Sequence, residues 1–452
     1  MNGNTTKIIA IGIVIVVAAA GVGIFMLMKN DKSGGEKVDA ALEVFGNADK
    51  DYKIDGNDKD IIQNIIDNKD GYNLEKYPLA DANHDGNVDT ADIELVQKII
   101  NGESCTVYHM WYITNTDESR HDSKVVDTKW PIKKCIANGA ANALLCYSMI
   151  GLDDKIVAIN YSSTSPPDAV LYPKYHAMES LGTSTTYLTA SKVTEAKTAN
   201  PDITAVITAD NKSYLSSTAS GRIDEAGLEE MGLDVIRVKH AAVDPKEFSS
   251  ALLLLGFLFQ KESQAYEAAA WIENVYKELD DKLDGVTKLR VAATSGSDYL
   301  SSRNSDYADV TVQAGGEYTM PVRSSTSIKM AENAWMFEDQ YQPDRIVMIR
   351  TGGSSGTWYS PGGLNLATFK TAMNDNFSEF KAFTNKQIYL TSGDDPVVAR
   401  VLYSAAILYP DRVSMEYANE VHQEFVDKFL GGSYKVSELK FVYTFDEINA
   451  AS

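Results

Sequence analysis

The sequence predicts an α/β protein of two lobes joined by one long helix, preceded by a small α-helical calcium-loop unit and an apolar N-terminal segment. Three observations carry this. From about Thr106 onward, short apolar runs alternate with helical patterns, the mark of mostly parallel sheets covered by helices on both faces. Midway along that region, Glu262 to Leu283 repeats its apolar residues at helical spacing. Ahead of it, two acidic loops stand in register 34 positions apart, each followed by a short amphipathic helix.

Taken in chain order, Ile8 to Met28 is 21 residues without a charge, flanked by Lys7 and by Lys29 and Lys32. At 1.5 Å per residue that length crosses a bilayer core of about 30 Å. A cleaved signal peptide has a shorter apolar region, although Ala18-Ala19-Ala20 resembles a cleavage site. No cysteine follows the stretch, which excludes a lipoprotein anchor. Residues 1–35 are therefore expected to be a transmembrane anchor and spacer, with Lys32, Ser33, Gly34 and Gly35 in the flexible part. The expected localisation is a single-pass membrane protein whose bulk is extracellular.

Residues 36–103 hold the loops. In D-A-N-H-D-G-N-V-D-T-A-D, Asp81 to Asp92, positions 1, 3 and 5 are Asp81, Asn83 and Asp85. Gly86 makes the sharp turn at position 6, the Asn87 carbonyl serves position 7, and Asp89 and Asp92 stand at 9 and 12. Calcium takes about six to eight oxygens, and this spacing delivers them. The copy from Asn47 to Asp58 offers Asn47, Asp49, Asp51, the Lys53 carbonyl, Asp55 and Asp58. Tyr52 replaces its turn glycine, so a positive φ is expected there at some energetic cost. Ile61, Ile62, Ile65 and Ile66 follow one loop and Ile93, Val96, Ile99 and Ile100 the other, each set on one helical face. A unit this small has little core, so bound calcium would supply much of its folding energy. The duplicated loop-helix unit resembles a type I dockerin, which implies a cohesin-domain partner chosen by loop positions 10 and 11, here Gly56, Asn57, Thr90 and Ala91.

The 452 residues are 44 % hydrophobic and 23 % charged, as in an ordinary globular protein of two or three domains. A net charge of −21 argues against a nucleic-acid partner, which demands a basic face. Three cysteines form no disulfide framework: Cys135 and Cys146 read as buried thiols, and Cys105 as a linker residue.

Residues 104–452 form the large domain, with one lobe over about 128–260, a linking helix over 262–284 and the other lobe over 285–450. Buried strands are expected at Ile156 to Ile159, Ala205 to Ile207 and Val235 to Val238, then at Leu289 to Ala293, Ile346 to Ile349 and Ile388 to Leu390. Ala265, Ala268, Ala269, Ile272, Val275, Tyr276, Leu279 and Leu283 share one stripe of the linking helix, which is about 33 Å long. Lobes hinged in this way leave a cleft outside the carboxyl ends of their strands, where α/β proteins hold ligands.

The domain resembles the class III, helix-hinged substrate-binding proteins of ABC importers for iron chelates, haem or corrinoids. The marks are W-P-I-K-K-C-I-A-N-G at Trp130, I-G-L-D-D-K-I-V-A-I at Ile150, N-P-D-I-T-A-V-I at Asn200, G-F-L-F-Q-K-E-S-Q-A at Gly256, Q-A-G-G-E at Gln313 and Q-P-D-R-I-V-M-I at Gln342. The resemblance implies a two-lobed periplasmic-binding-protein fold and an ABC permease as partner. Its cleft would be built by Asn138, Gly139, Tyr161 and Ser162 from the first lobe and Tyr299, Arg303, Trp358 and Tyr359 from the second. Aromatic faces suit large flat ligands, and Arg303 suits an anionic chelate. T-G-G-S-S-G before Trp358 reads as a mobile loop tip.

Two features depart from that family. Thr194 and Met336 stand where many relatives carry the glutamates that dock on the permease, with Glu195, Glu332 and Glu338 nearby. The calcium unit is the other. The competing reading is a cell-surface assembly protein acting through calcium-dependent dockerin–cohesin binding. An enzyme is disfavoured, because His84, His109, His121, His176, His240 and His422 show no cluster and neither a nucleophile elbow nor a phosphate loop occurs.

Overall fold

The computed structural model describes residues 38–114, 121–138, 141–160, 168–178, 180–181, 188, 190–209, 225–240, 242–296 and 298–451. The acidic arm contains helices α1 (Gly56–Ile66) and α2 (Thr90–Ile100), each opened by a capping box. Asp55 and Asp89 are the N-caps, and Asp58 and Asp92 close the boxes from the third helical position. Ile62 and Val96 meet Ala48, Ala80 and Ala82 in a small core. Ile61, Ile65, Ile66 and Ile93 are half-buried around it, whereas Ile100 is 41 % exposed.

That core is extended by the rest of the chain. A hairpin of β1 (Cys105–Thr114) and β2 (His121–Trp130) follows the arm. Phe45 N–H donates to the Tyr108 carbonyl (2.8 Å) and Met110 N–H to that of Glu43 (3.1 Å), so the start of the arm pairs with β1. Val38–Ser452 is one compact unit. Cys105, read as a linker residue, therefore begins a strand.

The first lobe contains β3 (Lys134–Asn138), α3 (Ala141–Met149), β4 (Ile156–Asn160), α4 (Pro173–His176), α5 (Ala190–Ala199), β5 (Ile203–Ala209), α6 (Glu225–Glu230), β6 (Asp234–Val238) and α7 (Pro245–Leu258). Its four strands are parallel in the order β4-β3-β5-β6. Next comes α8 (Glu262–Leu283), at the bounds its periodicity predicts. All the expected stripe residues are buried except Leu283, which is half-buried, and Ala270 and Trp271 join them.

The second lobe runs through β7 (Arg290–Thr294), β8 (Tyr299–Ser301), α9 (Asp306–Gln313), β9 (Glu317–Tyr318), β10 (Ser327–Lys329), β11 (Arg345–Arg350), α10 (Leu366–Asn376), α11 (Lys381–Thr384), β12 (Ile388–Ser392), α12 (Val397–Leu408), α13 (Met415–Phe429), β13 (Val442–Tyr443) and α14 (Phe445–Ala450). Its main sheet has the order β13-β12-β11-β7-β9 and is parallel except for the β12–β13 pair. The predicted strands all form, and their apolar runs are buried on both faces, as helix-covered parallel sheets require. Cys135 and Cys146 are buried free thiols.

The expected single-pass localisation is corrected here. Among the described residues no helix is long and apolar enough to cross a membrane. The longest, α8, has sufficient length but exposes Glu267, Lys277, Glu278 and Asp280 along its outer face. Ile8 to Met28 lies outside the described residues.

The turn between α7 and α8 depends on one small residue. A Cβ on Gly256 would lie 2.3 Å from Ala265 Cβ and 3.2 Å from the Lys261 carbonyl oxygen. Gly256→Ala is expected to destabilise the protein by about 1–3 kcal/mol through overpacking. Urea denaturation checks this, and an unchanged midpoint would show that the two helices have slack.

Candidate functional site

The carboxyl ends of the first lobe's strands carry a buried polar set. Asn138 ends β3, Asn160 ends β4, and Thr208 lies one residue from the end of β5. Asn138 Nδ2 donates to Thr208 Oγ1 (3.0 Å), and Asn160 Nδ2 donates to Asn138 Oδ1 (2.5 Å). Each amide is thereby oriented at a point where backbone pairing stops. Gly139, Tyr161 and Ser162 lie outside the described residues.

In the second lobe, the loops after β7, β11 and β12 are tied to one another. Arg350 donates through Nη1 to the Ser295 carbonyl and lies over the Phe369 ring. Gly352 N–H donates to Asp394 Oδ2 at 2.7 Å. Tyr299 OH pairs with Ser295 Oγ at 2.8 Å, and Arg303 Nη1 holds Asp309 Oδ1 at 2.7 Å. Trp358 is buried, its Nε1–H donating to the Arg350 carbonyl (2.8 Å). Tyr359 is buried as well, and its OH donates to Asp395 Oδ1 (3.0 Å). This segment is folded inward instead of forming an open tip. Gly356 makes that fold possible with φ 104°, because a Cβ there would lie 1.8 Å from the Gly363 carbonyl oxygen. A cavity of about 300 Å³ opens beside Trp358, Leu364, Leu439 and Tyr443.

The lobes meet at this level. Thr357 Oγ1 donates to Asp168 Oδ2 (3.0 Å), and Asp168 Oδ1 accepts from Val170 N–H (2.8 Å). Behind the bridge lie Tyr172, Asp395 and Arg400, all buried. Tyr172 OH, Asp395 Oδ2 and Arg400 Nε have no hydrogen-bond partner among the described residues. Burial pushes the Asp395 carboxyl up to about 7. These residues escaped the sequence reading because they converge only when the lobes assemble. One signal was present: Arg400 is the lone charge in the apolar helix α12, V-V-A-R-V-L-Y-S-A-A-I-L.

A tyrosine–histidine chain supports the floor. His422 Nδ1 lies 2.9 Å from Tyr403 OH, and Nε2 lies 2.7 Å from Tyr434 OH. Tyr403 OH gives its proton to Asn419 Oδ1 (3.0 Å), so His422 Nδ1–H donates to Tyr403 and Nε2 accepts from Tyr434. Burial lowers His422 to about 3 and keeps the ring neutral.

In the second acidic loop, Asp81 accepts from Asp85 and Gly86 N–H, and Asp92 from Asn83 and Asp89 N–H. Asp85 and Asn87 lie exposed beside them. The first loop repeats the pattern, with Asp58 accepting from Asp49 and Asp55 N–H and Asp51 from Lys53 N–H. Tyr52 does not take the expected positive φ. The left-handed residue is Lys50 (φ 58°), matched by His84 (φ 52°) in the second loop, where Gly86 also has φ 92°. Burial pushes Asp58 up to about 7, with repulsion from Asp49 and Asp51 adding to it. Among the described residues no group of three or more His, Cys, Asp or Glu gathers to hold a metal ion, since the carboxylates are turned onto backbone N–H groups. The donor set nevertheless suits a hard cation: it is all oxygen, and Asn47 Oδ1 at position 1 is buried without a donor.

Of the positions considered for permease docking, Met336 is fully buried and Thr194 is exposed on α5. Glu195, Glu332 and Glu338 are exposed.

No protein-family model matches the sequence. No curated protein matches it either. Solved structures do. A TroA-like periplasmic binding protein, FepB, from Veillonella parvula superimposes with a TM-score of 0.55 at 17 % identity, covering 74 % of this chain and 99 % of that one. A periplasmic solute binding protein from the same organism gives 0.51 at 16 %, covering 76 % and 99 %. The chain has the two-lobed periplasmic-binding-protein fold. Nothing in these comparisons supports the dockerin resemblance of the arm. Within the periplasmic-binding-protein fold, Asn138, Asn160 and Thr208 on one side and Asp394 and Asp395 on the other are the strand-end positions that flank the lobe junction.

The sign of the His422 effect follows from its depressed value. An unfolded histidine titrates near 6.5, so its contribution is fully present above that pH and is lost as pH falls toward 3. Between pH 7.5 and 5.0, the loss of unfolding free energy is expected to be about 2 kcal/mol smaller in His422→Gln than in the parent. Denaturant titrations at both pH values check this, and equal losses would mean that the ring is protonated in the fold.

Proposed function

We propose that this protein is the substrate-binding component of an ABC importer, taking an iron chelate, haem or a corrinoid between its lobes. The observation that supports it is the pair of helix-covered parallel sheets on either side of α8, with polar strand ends meeting at the Asp168–Thr357 bridge. The ligand class rests on the sequence marks around Trp130, Asn200 and Gln342. The cavity of about 300 Å³ beside Trp358 is lined by the second lobe alone and is too small for a corrin or haem, so it is not the ligand site of this reading. A ligand held between the lobes requires them to part at Asp168–Thr357, where Asn138, Tyr299 and Arg303 then face it from opposite sides. Arg303 must exchange Asp309 for an anionic group if it serves one. On the permease side, exposed Glu195 and Glu332 or Glu338 take the docking role, since buried Met336 offers no contact.

The second element of the proposal is calcium in the acidic loops. Asp81, Asn83, Asp85, the Asn87 carbonyl, Asp89 and Asp92 hold it in one loop. Asn47, Asp49, Asp51, the Lys53 carbonyl, Asp55 and Asp58 hold it in the other. The ion supplies positive charge that lets crowded carboxylates stay ionised at short range. Gly56, Asn57, Thr90 and Ala91 are exposed, as contact positions for a cohesin-domain protein must be.

Titrating the full chain with haem, cobalamin and ferric siderophores, followed by tryptophan fluorescence, is expected to give saturable binding of one class, with Kd about 1 μM or tighter. No saturation with any of them, in calcium, would overturn the transport reading. Calcium-dependent capture of a cohesin domain in its place would favour surface assembly.

A further inference from the structure

The first acidic loop is built into the body of the protein. Leu42 N–H donates to the Asp51 carbonyl (2.9 Å), and Asn47 Nδ2 donates to both the Leu42 and Asp51 carbonyls (2.7 and 2.8 Å). The Asn47 side chain thus lies across the loop, fully buried, with Oδ1 lacking a donor. The same frame grips α8 at two points. Tyr52 packs on Tyr266 with ring centroids 4.2 Å apart, and Asp39 and Ala40 N–H donate to the Glu273 carboxylate (2.6 and 3.0 Å). Tyr266 and Glu273 are seven residues, about two helical turns, apart on α8. The second loop meets this frame at a different point, away from Tyr52 and the Asp39–Ala40 backbone: His84 packs between Phe45 and Tyr108 of β1, at 4.5 and 6.0 Å.

We propose that a divalent cation in the first loop fixes the segment from Asp39 to Tyr52 and so braces the helix that links the lobes. This rests on the calcium reading of the loops and adds a role to it: the arm is a metal-dependent strut for the ligand-binding body. Four carboxylates, Asp49, Asp51, Asp55 and Asp58, surround that loop against two lysines, Lys50, which is exposed, and Lys53, which pairs with Asp55. With a cation among them, Asn47 Oδ1 gains its missing partner and the carboxylates are held together. Without one, their repulsion loosens the Leu42–Asp51 and Asn47–Asp51 hydrogen bonds that position Tyr52 and the Asp39–Ala40 backbone.

The test is hydrogen–deuterium exchange of the full chain in calcium and in chelator, with calcium binding measured separately by calorimetry. Calcium is expected to slow exchange by about five-fold or more in residues 38–52 and in Glu262–Leu283. Asp49→Asn with Asp51→Asn should abolish the response of α8, whereas Asp85→Asn should leave it intact. Tyr266→Ala with Glu273→Ala should keep calcium protection of residues 47–58 and lose that of α8. This variant carries the test if the loop variant fails to fold. Calcium binding with no change in α8 would overturn the brace and leave the calcium reading standing. Equal loss of the α8 response in the Asp85 variant would also overturn it, and no calcium binding would overturn both.

Discussion

The apolar stripe of α8, from Ala265 through Ile272 to Leu279, is buried against both lobes at once, and the positions of the two sheets follow from it. Toward the first lobe, Ala265 sits against Gly256 of α7, where no side chain larger than hydrogen fits. Toward the second, Trp271 packs on Phe425 and Phe429 of α13 and donates from Nε1 to Glu424 (2.8 Å). A helix committed on opposite sides in this way behaves as a rod, because either lobe can rotate about it only by breaking close packing. The acidic arm adds a third set of contacts through Tyr266 and Glu273.

That rod brings strand ends, and the polar groups they carry, to one junction. Asn138 donates to Thr208 and accepts from Asn160, while among the described residues Tyr172, Asp395 and Arg400 keep unpaired atoms in a buried setting. Unpaired buried polar atoms are expensive, and a stable core normally removes them. Their concentration where the lobes meet is consistent with a junction that has a second arrangement. The Asp168–Thr357 bridge, a single hydrogen bond between side chains, is a weak point at which such a change can begin.

Much of the fold was legible because it is written in local periodicity. The α8 stripe gave its bounds, and runs such as Ile346 to Ile349 and Ile388 to Leu390 gave the strands. The β1–β2 hairpin was not legible. Its second strand opens His121-Asp122-Ser123-Lys124, with no apolar alternation, and is a strand because β1 pairs with it along its whole length. The site divides the same way. Asn138 was singled out because it ends a recognisable segment, and it does end a strand; the loop acids were singled out for a spacing that suits a calcium ion. Asp168, Tyr172 and Asp395 come together from sequence positions more than two hundred apart, which only the assembled lobes reveal. Trp358 and Tyr359 drew attention as cleft-lining aromatics after a glycine-rich run read as a mobile loop tip, yet the glycines serve to turn that segment inward.

The central claim is that α8 holds the lobes in one defined relation until a ligand is loaded. Electron–electron resonance between spin labels at exposed Glu195 in the first lobe and exposed Glu332 in the second measures that relation directly. A single narrow distribution of separations is predicted for the calcium-loaded chain without ligand. A broad spread would contradict the account, since lobes free to wander could not be positioned by the stripe from Ala265 to Leu279.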